Sequence, residues 1–147
     1  MPVRVQSEDF DLGQELGQLR AGRTDIGALV SFSGLVRDTE DGSLSDMTLE
    51  HYPGMTERAL EEILATATER WSLQAGLIIH RYGRLVPGEQ IMMVAAASKH
   101  RRNAFDAASF MMDFLKSRAP FWKKEHTEEG SAWVAAKSED DDARERW

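Results

Sequence analysis

The chain has 147 residues, 41 % of them hydrophobic and 29 % charged, and 25 acidic against 18 basic side chains give a net charge of −7. This size and composition predict a single globular domain over residues 1–147, the negative charge argues against a general nucleic-acid-binding protein, and no apolar run approaches the roughly 20 residues of a membrane span. The absence of cysteine excludes disulfides, thiolate metal sites and a cysteine nucleophile, and it favours a cytoplasmic protein.

The first half of the chain predicts two helices and three strands. The clearest pattern is the helical spacing of apolar residues from Leu60 to Ala67, which predicts a helix with Thr56 as its N-cap. A polar segment rich in Gly, Ser and Asp at 37–46 predicts an exposed loop. In chain order, the predicted elements are a strand at Val3–Val5, a helix at Leu12–Leu19, a buried strand at Ile26–Val36, a strand at Met47–Tyr52 and a helix at Met55–Trp71.

The second half predicts four strands and one long helix. Ile91–Ala97 is almost entirely apolar, which predicts a central strand covered on both faces. The long helix at about 102–118 is predicted to end at Ala119-Pro120, because the residue before a proline avoids helical geometry. The elements are strands at Leu77–Tyr82, Ile91–Ala97, Phe121–Thr127 and Ala132–Ala136, a helix at about 102–118, turns at Pro87-Gly88 and Gly130, and a charged tail at 136–147. This order predicts an α+β or α/β sandwich with two main helices on a mixed, largely antiparallel sheet.

A basic segment stands out in this acidic chain between Lys99 and Lys124. It carries seven basic and two acidic side chains, a local charge of +5, so the rest of the chain carries −12. Basic groups beside aromatic and Met side chains suit a compact anionic ligand with an apolar or planar part. The alternative is a helix with a basic, solvent-exposed face. The placement of the charges at both ends of the predicted helix favours the ligand.

Two lysines of this segment are the candidate catalytic residues. Lys116 lies in the last helical turn and Lys123 follows the reversal at Pro120, so the returning strand could bring both into one pocket. Two lysines in one pocket repel each other, which makes a neutral amine available as base or nucleophile. A lysine in the last turn also complements the helix dipole, and this structural interpretation stays open.

Further candidates suit anion binding. His100 and Arg101 lie at the predicted helix start, where backbone N–H groups favour phosphate or carboxylate. Arg37 follows a predicted strand directly and could clamp a ligand or form a salt bridge at the rim. His51 and His80 stand in predicted strands and are interpreted as core residues. The four histidines lack metal-binding spacing, so we expect no metal site.

Five segments together resemble the large, catalytic subunit of molybdopterin synthase. The motifs LEHYPGM and KSRAPFWK are long and unusual, so the resemblance is specific, and it extends from about Ile26 to Trp147. The segments are FSGLVRD (32–38), LEHYPGMTERAL (49–60), IIHRYGRLVPGE (78–89), SKHRRNAFDA (98–107) and FMMDFLKSRAPFWKKE (110–125), together with a terminal RW (146–147).

The resemblance implies an α/β hammerhead-type fold and a sulfurtransferase. Members of this family form a homodimer, and each protomer binds a small ubiquitin-like sulfur-carrier subunit, which gives a heterotetramer. The C-terminal Gly-Gly tail of that partner, activated as a thiocarboxylate, enters the pocket of the large subunit. There it delivers sulfur to cyclic pyranopterin monophosphate (precursor Z), and two transfers build the dithiolene of molybdopterin. No cofactor, nucleic acid or membrane is implied.

The motif positions carry the roles of the family onto this chain. Lys116 and Lys123 match the active-site lysine and a second pocket lysine. Lys116 is expected to stabilise developing negative charge, to transfer a proton or to accept the acyl group. The residues expected to bind the pterin phosphate or the partner's tail, or to line the same pocket, are Arg37, His100, Arg101, Lys124, Glu125, Phe32 and Met112.

Two other functions are compatible with the same residues. An apolar and basic pocket could belong to a non-catalytic adaptor that only grips a ubiquitin-like C-terminal tail. Paired lysines could also belong to a Schiff-base enzyme that acts on a phosphorylated carbonyl compound. The family resemblance ranks the sulfurtransferase first.

Overall fold

The computed structural model describes residues 2–127, 130–134, 143–145 and 147. These residues form two four-stranded sheets, one of which carries helices on both faces, and the predicted α+β class is confirmed. No described helix has the length and apolarity needed to span a bilayer. In chain order the elements are β1 (Val3–Gln6), α1 (Leu12–Arg20), β2 (Ala28–Leu35), β3 (Leu44–His51), α2 (Met55–Trp71), β4 (Ala75–Arg81), β5 (Gly83–Leu85), β6 (Gln90–Ser98), α3 (Arg101–Arg118), β7 (Phe121–Thr127) and β8 (Gly130–Val134).

The first sheet has the strand order β1-β4-β6-β2, in which β1 and β4 are parallel and the other pairs antiparallel. Alternate residues of β6 point to opposite faces of this sheet. Val94 and Ala96 pack in the core beneath α2 and α3, whereas Met93 and Ala95 pack in the smaller core beneath α1. The prediction that Ile91–Ala97 is a central strand covered on both faces is therefore confirmed.

Helix α2 begins at the predicted residue, but its N-cap is Gly54 and the predicted cap is wrong. The N–H of Gly54 donates to the carboxylate of Glu57 at 3.2 Å. Thr56 is fully buried, where its hydroxyl accepts from the N–H of Tyr52 at 2.9 Å and donates to the carbonyl of Pro120 at 3.0 Å. The hydroxyl thus fastens the start of α2 to the chain segment that follows α3.

The second sheet has the strand order β5-β3-β7-β8, and all its described pairs are antiparallel. Strand β5 was not predicted, because three residues are too few to show an alternating pattern. Ala119 and Pro120 end α3 as predicted, and the N–H of Phe121 donates to the carbonyl of Ala119 at 2.8 Å. The second sheet therefore continues directly from the end of α3.

Strand β2 is less buried than predicted. It forms one edge of the first sheet, and within the described chain only its β6 side is hydrogen-bonded. Phe32 and Leu35 are 45 % and 55 % exposed. The prediction of a buried strand is wrong, because apolar composition alone does not distinguish a central strand from an edge strand.

The C-terminal segment is described in part. The last two residues of the predicted strand Ala132–Ala136 and most of the predicted tail at 136–147 lie outside the described residues. The terminal Trp147 packs edge-on against the rings of Trp71 and Phe110, with centroid distances of 5.5 and 6.0 Å. The chain end is thus held against α2 and α3.

Candidate active site

The two candidate catalytic lysines lie on either side of the reversal that joins α3 to β7. Lys116 is exposed in the last turn of α3, and Lys123 is half-buried near the start of β7. Lys123 lies two residues beyond Phe121, so the side chains of Phe121 and Lys123 point to the same face of the second sheet. The hydrogen bond from Thr56 to Pro120 holds the reversal between them. The predicted helix end and the strand that follows it are therefore confirmed, and the segment between them is supported from α2.

A buried histidine lies within electrostatic reach of Lys116. His80 is 5 % exposed, and its ring stacks on Phe121 with a centroid distance of 3.6 Å and an interplanar angle of 17°. Burial lowers the pKa of His80 to about 4, although its hydrogen bond to the carbonyl of Arg81 opposes this shift. The charge of Lys116 lowers the pKa further, followed by that of His51. The ammonium group of Lys116 is thus within electrostatic reach of a neutral imidazole.

The three predicted residues of β7 divide between the two faces of the strand. Lys123 and Glu125 share one face, where Glu125 lies opposite the buried Met47 of β3. Lys124 points to the other face, where its ammonium lies 5.5 Å from the centroid of the Trp133 ring. The structure thus places Lys123 and Glu125 together and Lys124 apart from them.

Arg37 lies at the end of the first sheet where α3 ends. Strand β2 is antiparallel to β6, so its last residue, Leu35, lies beside Gln90 at the start of β6. Helix α3 follows β6 and returns across the sheet, and the charge of Lys116 acts on His80 at the end of β4. Arg37 and Lys116 are thus brought to the same end of the fold.

Phe32 and Met112 line the space between β2 and α3. Phe32 lies opposite Val94 of β6, on the face of the sheet that α3 covers. Met112 is half-buried and packs against the core below α3. Phe32 and Met112 are thus apolar side chains on two elements that pack against each other.

His100 and Arg101 lie at the opposite end of α3 from Lys116. His100 is the N-cap of α3, and Arg101 is its first residue. Lys116 follows Arg101 by 15 residues, so their backbones lie about 22 Å apart along the helix axis at 1.5 Å per residue. A cleft of about 580 Å³ opens at this end, and its lining residues are His100, Arg101, Arg102, Phe105 and Asp106. One chain therefore presents two separate basic regions, and the single pocket expected from the sequence is divided within the protomer.

Two neighbours of the lysines were interpreted as core residues from the sequence. His80 is buried, which agrees with that interpretation, but its stack and its proximity to Lys116 were not predicted. His51 lies 4.4 Å from the ring of Tyr82 and 6.4 Å from that of Phe121, between centroids. Both histidines lie within segments that carry the family resemblance, and this position was the signal in the sequence that pointed to them. Among the described residues, no group of three or more His, Asp or Glu side chains could hold a metal ion.

Comparison with known proteins gives concordant matches. The sequence model of the family "MoaE protein" matches residues 5–118. A molybdopterin synthase catalytic subunit of Rhizobium meliloti (strain 1021) is 59 % identical, over 99 % of this chain and 94 % of that protein. The solved molybdopterin biosynthesis MoaE protein of Burkholderia ambifaria MC40-6 is 52 % identical with a TM-score of 0.85, over 99 % of this chain and 96 % of that chain.

A more distant structure shares the fold. It is a protein–protein complex of subunits 1 and 2 of molybdopterin-converting factor from Helicobacter pylori 26695. The matching chain is 18 % identical with a TM-score of 0.79, over 93 % of this chain and 92 % of that chain. The fold is therefore retained where little of the sequence is shared.

Proposed function

The chain belongs to the MoaE family, and we propose that it acts as the catalytic subunit of a molybdopterin synthase that converts precursor Z to molybdopterin. The observation that carries the proposal is the position of Lys116 in the last turn of α3, within electrostatic reach of the buried His80 and directly before the segment that leads to Lys123. The high identity to molybdopterin synthase catalytic subunits over nearly the whole chain supports the same reaction.

Sulfur arrives on a partner in this proposal. The donor is the C-terminal thiocarboxylate of a small ubiquitin-like subunit, as the family resemblance implies, and the absence of cysteine from the chain agrees with sulfur that is carried elsewhere. The two-subunit complex from Helicobacter pylori supports such an assembly. The reaction takes place in the cytoplasm.

Lys116 stabilises charge during sulfur transfer. In this transfer the thiocarboxylate sulfur bonds to a pterin carbon in place of an oxygen substituent, and water then cleaves the resulting thioester, so that the sulfur stays on the pterin and the tail leaves as a carboxylate. The thioester carbonyl oxygen gains negative charge when water attacks it, and a nearby ammonium group lowers the energy of that state. The buried His80 has a pKa of about 4, so it stays neutral near pH 7 and does not compete with Lys116 for this oxygen as a second cation. Lys123 and Arg37 hold the anionic groups of the pterin at the same end of the fold.

A second copy of the chain completes the site in a homodimer. The separation of about 22 Å between Arg101 and Lys116 is too large for one small pterin to contact both within one chain. Among the described residues the edge strand β2 is paired only with β6, and it exposes Phe32, which suits pairing of its other side with a second β2. Ala28 lies opposite Ser98, near the start of α3. Antiparallel pairing of two β2 strands therefore brings Arg101 of the second copy towards Lys116 of the first.

A single-turnover assay tests the function. The wild-type chain, thiocarboxylated small subunit and precursor Z are mixed, and the dithiolene pterin is quantified. We expect product with the wild type and a loss of at least about 100-fold with Lys116→Ala, a magnitude comparable to removal of one oxyanion-stabilising donor. Arg118→Ala is the charge-matched control, because Arg118 lies at the same helix end, with its guanidinium 5.5 Å from the Phe114 ring, and we expect near-normal turnover.

The adaptor function predicts a different result. A folded wild-type chain that binds the small subunit but neither binds precursor Z in a calorimetric titration nor forms product would contradict the proposal. Near-normal turnover with Lys116→Ala would refute the role of Lys116 while leaving the reaction intact.

A further inference from the structure

The stack of His80 on Phe121 joins the two sheets next to the candidate lysines. His80 belongs to β4 of the first sheet and Phe121 to β7 of the second. The rings lie 3.6 Å apart and nearly parallel, and His80 is almost completely buried. This contact therefore fixes the start of β7 against the end of β4.

The hydrogen bonding of His80 defines the form of its ring. Nδ1 lies 2.8 Å from the carbonyl oxygen of Arg81. A carbonyl oxygen only accepts, so Nδ1 carries the proton, and in the neutral ring Nε2 carries the lone pair. The neighbouring titratable groups are Lys116 from α3 and His51 from β3, and the ring of Tyr82 lies tilted against that of His51. A neutral ring at this place packs in the interior without adding a positive charge next to Lys116.

The reversal between the two lysines is held at two consecutive residues. Thr56 donates to the carbonyl of Pro120, and His80 stacks on Phe121. Lys116 and Lys123 lie on either side of these two fixed residues. Loss of either contact leaves the two amines attached to segments that can shift relative to each other.

We propose that His80 is a positioning residue of the sulfur-transfer site, which acts through Phe121 to hold the strand that carries Lys123 against the helix end that carries Lys116. The inference rests on the proposed function, because the positioned groups are those of the proposed reaction. His80 itself transfers no proton. An error of 1 Å in the position of a catalytic group is enough to slow a reaction about 100-fold.

The test compares variants of His80 and Phe121 in the single-turnover assay. His80→Ala removes the stack, and we expect the rate constant at saturating precursor Z to fall at least about tenfold with little change in affinity for the small subunit. His80→Phe keeps a flat ring but loses the bond to Arg81, and we expect it to restore most of the rate. His126→Ala is the matched control, since His126 bonds to Thr48 on the other face of β7.

A double-mutant cycle with Phe121→Leu tests whether His80 acts through Phe121. We expect the double variant His80→Ala/Phe121→Leu to be about as slow as the slower single variant, because both remove the same contact. A double variant whose loss of rate is the product of the two single losses would overturn the inference. Thermal unfolding verifies that each variant is folded, and His80→Leu replaces His80→Ala if the latter does not fold, with the same expected loss.

The remaining outcomes separate positioning from other roles. A normal rate in His80→Ala, with only a lower melting temperature, would leave His80 as a packing residue and overturn the inference. Equal losses of rate in His80→Phe and His80→Ala, with one limb of the pH–rate profile abolished, would make His80 a proton-transfer group. This result would also overturn the inference. An inactive wild-type chain would overturn the proposed function and this inference together, whereas an active wild type with unaffected His80 variants overturns only the latter.

Discussion

A mixture of two inactive variants is expected to regain activity if the site lies between two copies of the chain. One variant is Lys116→Ala and the other Arg101→Ala, which remove the two basic regions separately. These residues lie about 22 Å apart along α3, so each site of a homodimer would take Lys116 from one copy and Arg101 from the other. A mixed dimer then contains one site that has lost both residues and one site that is fully intact.

The recovered activity follows from the geometry. Random assembly of equal amounts makes about half of all dimers mixed, and each of these has one working site of two. The mixture should therefore reach about a quarter of the wild-type rate per chain, far above the sum of the two separate variants.

Co-expression of the two variants with different affinity tags gives the assay. The dimers that carry both tags are isolated, and their single-turnover yield of dithiolene pterin is compared with that of each variant alone. The intact site predicts about half the wild-type yield in these purified mixed dimers. A yield no higher than that of the single variants would refute the shared site, since one chain would then supply both residues to each pocket.

Two further predictions concern stability. Burial lowers the pKa of His80 from 6.5 to about 4, so the unfolded chain takes up this proton at a higher pH than the folded chain. The free energy of unfolding is therefore highest above pH 6.5 and falls by up to about 3 kcal/mol as the pH drops to 4. Urea unfolding at pH 7 and 4.5 should show a smaller decrease of this free energy in His80→Phe than in the wild type, and an equal decrease would contradict the assignment. Trp147→Ala should lower the free energy of unfolding by about 2 kcal/mol, because it removes the ring contacts with Trp71 and Phe110; an unchanged urea midpoint would show that the chain end contributes nothing.

Local sequence patterns predicted the elements that carry the site. The bounds of α2 were predicted at both ends from the helical spacing of its apolar residues, which is a local signal. The end of α3 followed from Pro120, whose effect on the preceding residue is steric. The apolar run at Ile91–Ala97 indicated the central strand, because a strand with two covered faces reads as a nearly continuous apolar run.

Long-range placement was beyond the sequence patterns. The strands divide between two sheets by pairings between residues far apart in the chain, such as those of β3 with β7. The predicted strand at Phe121–Thr127 already implies that Lys123 and Lys124 face opposite sides, and the predicted helix implies that His100 and Lys116 lie at opposite ends, but no local pattern indicates that His80 stacks on Phe121. The wrong N-cap has the same origin, because Thr56 bonds to Pro120, 64 residues further along the chain.

The origin of the sulfur in the product tests the proposed sulfur transfer. The thiocarboxylate of the small subunit is labelled with a heavy sulfur isotope, mixed with the wild-type chain and precursor Z, and the pterin product is examined by mass spectrometry. The proposed reaction predicts labelled sulfur at both dithiolene positions and a partner whose C-terminus has become a carboxylate. Conversion of the thiocarboxylate to carboxylate without labelled pterin would contradict it, because the chain would then bind the tail without transferring its sulfur.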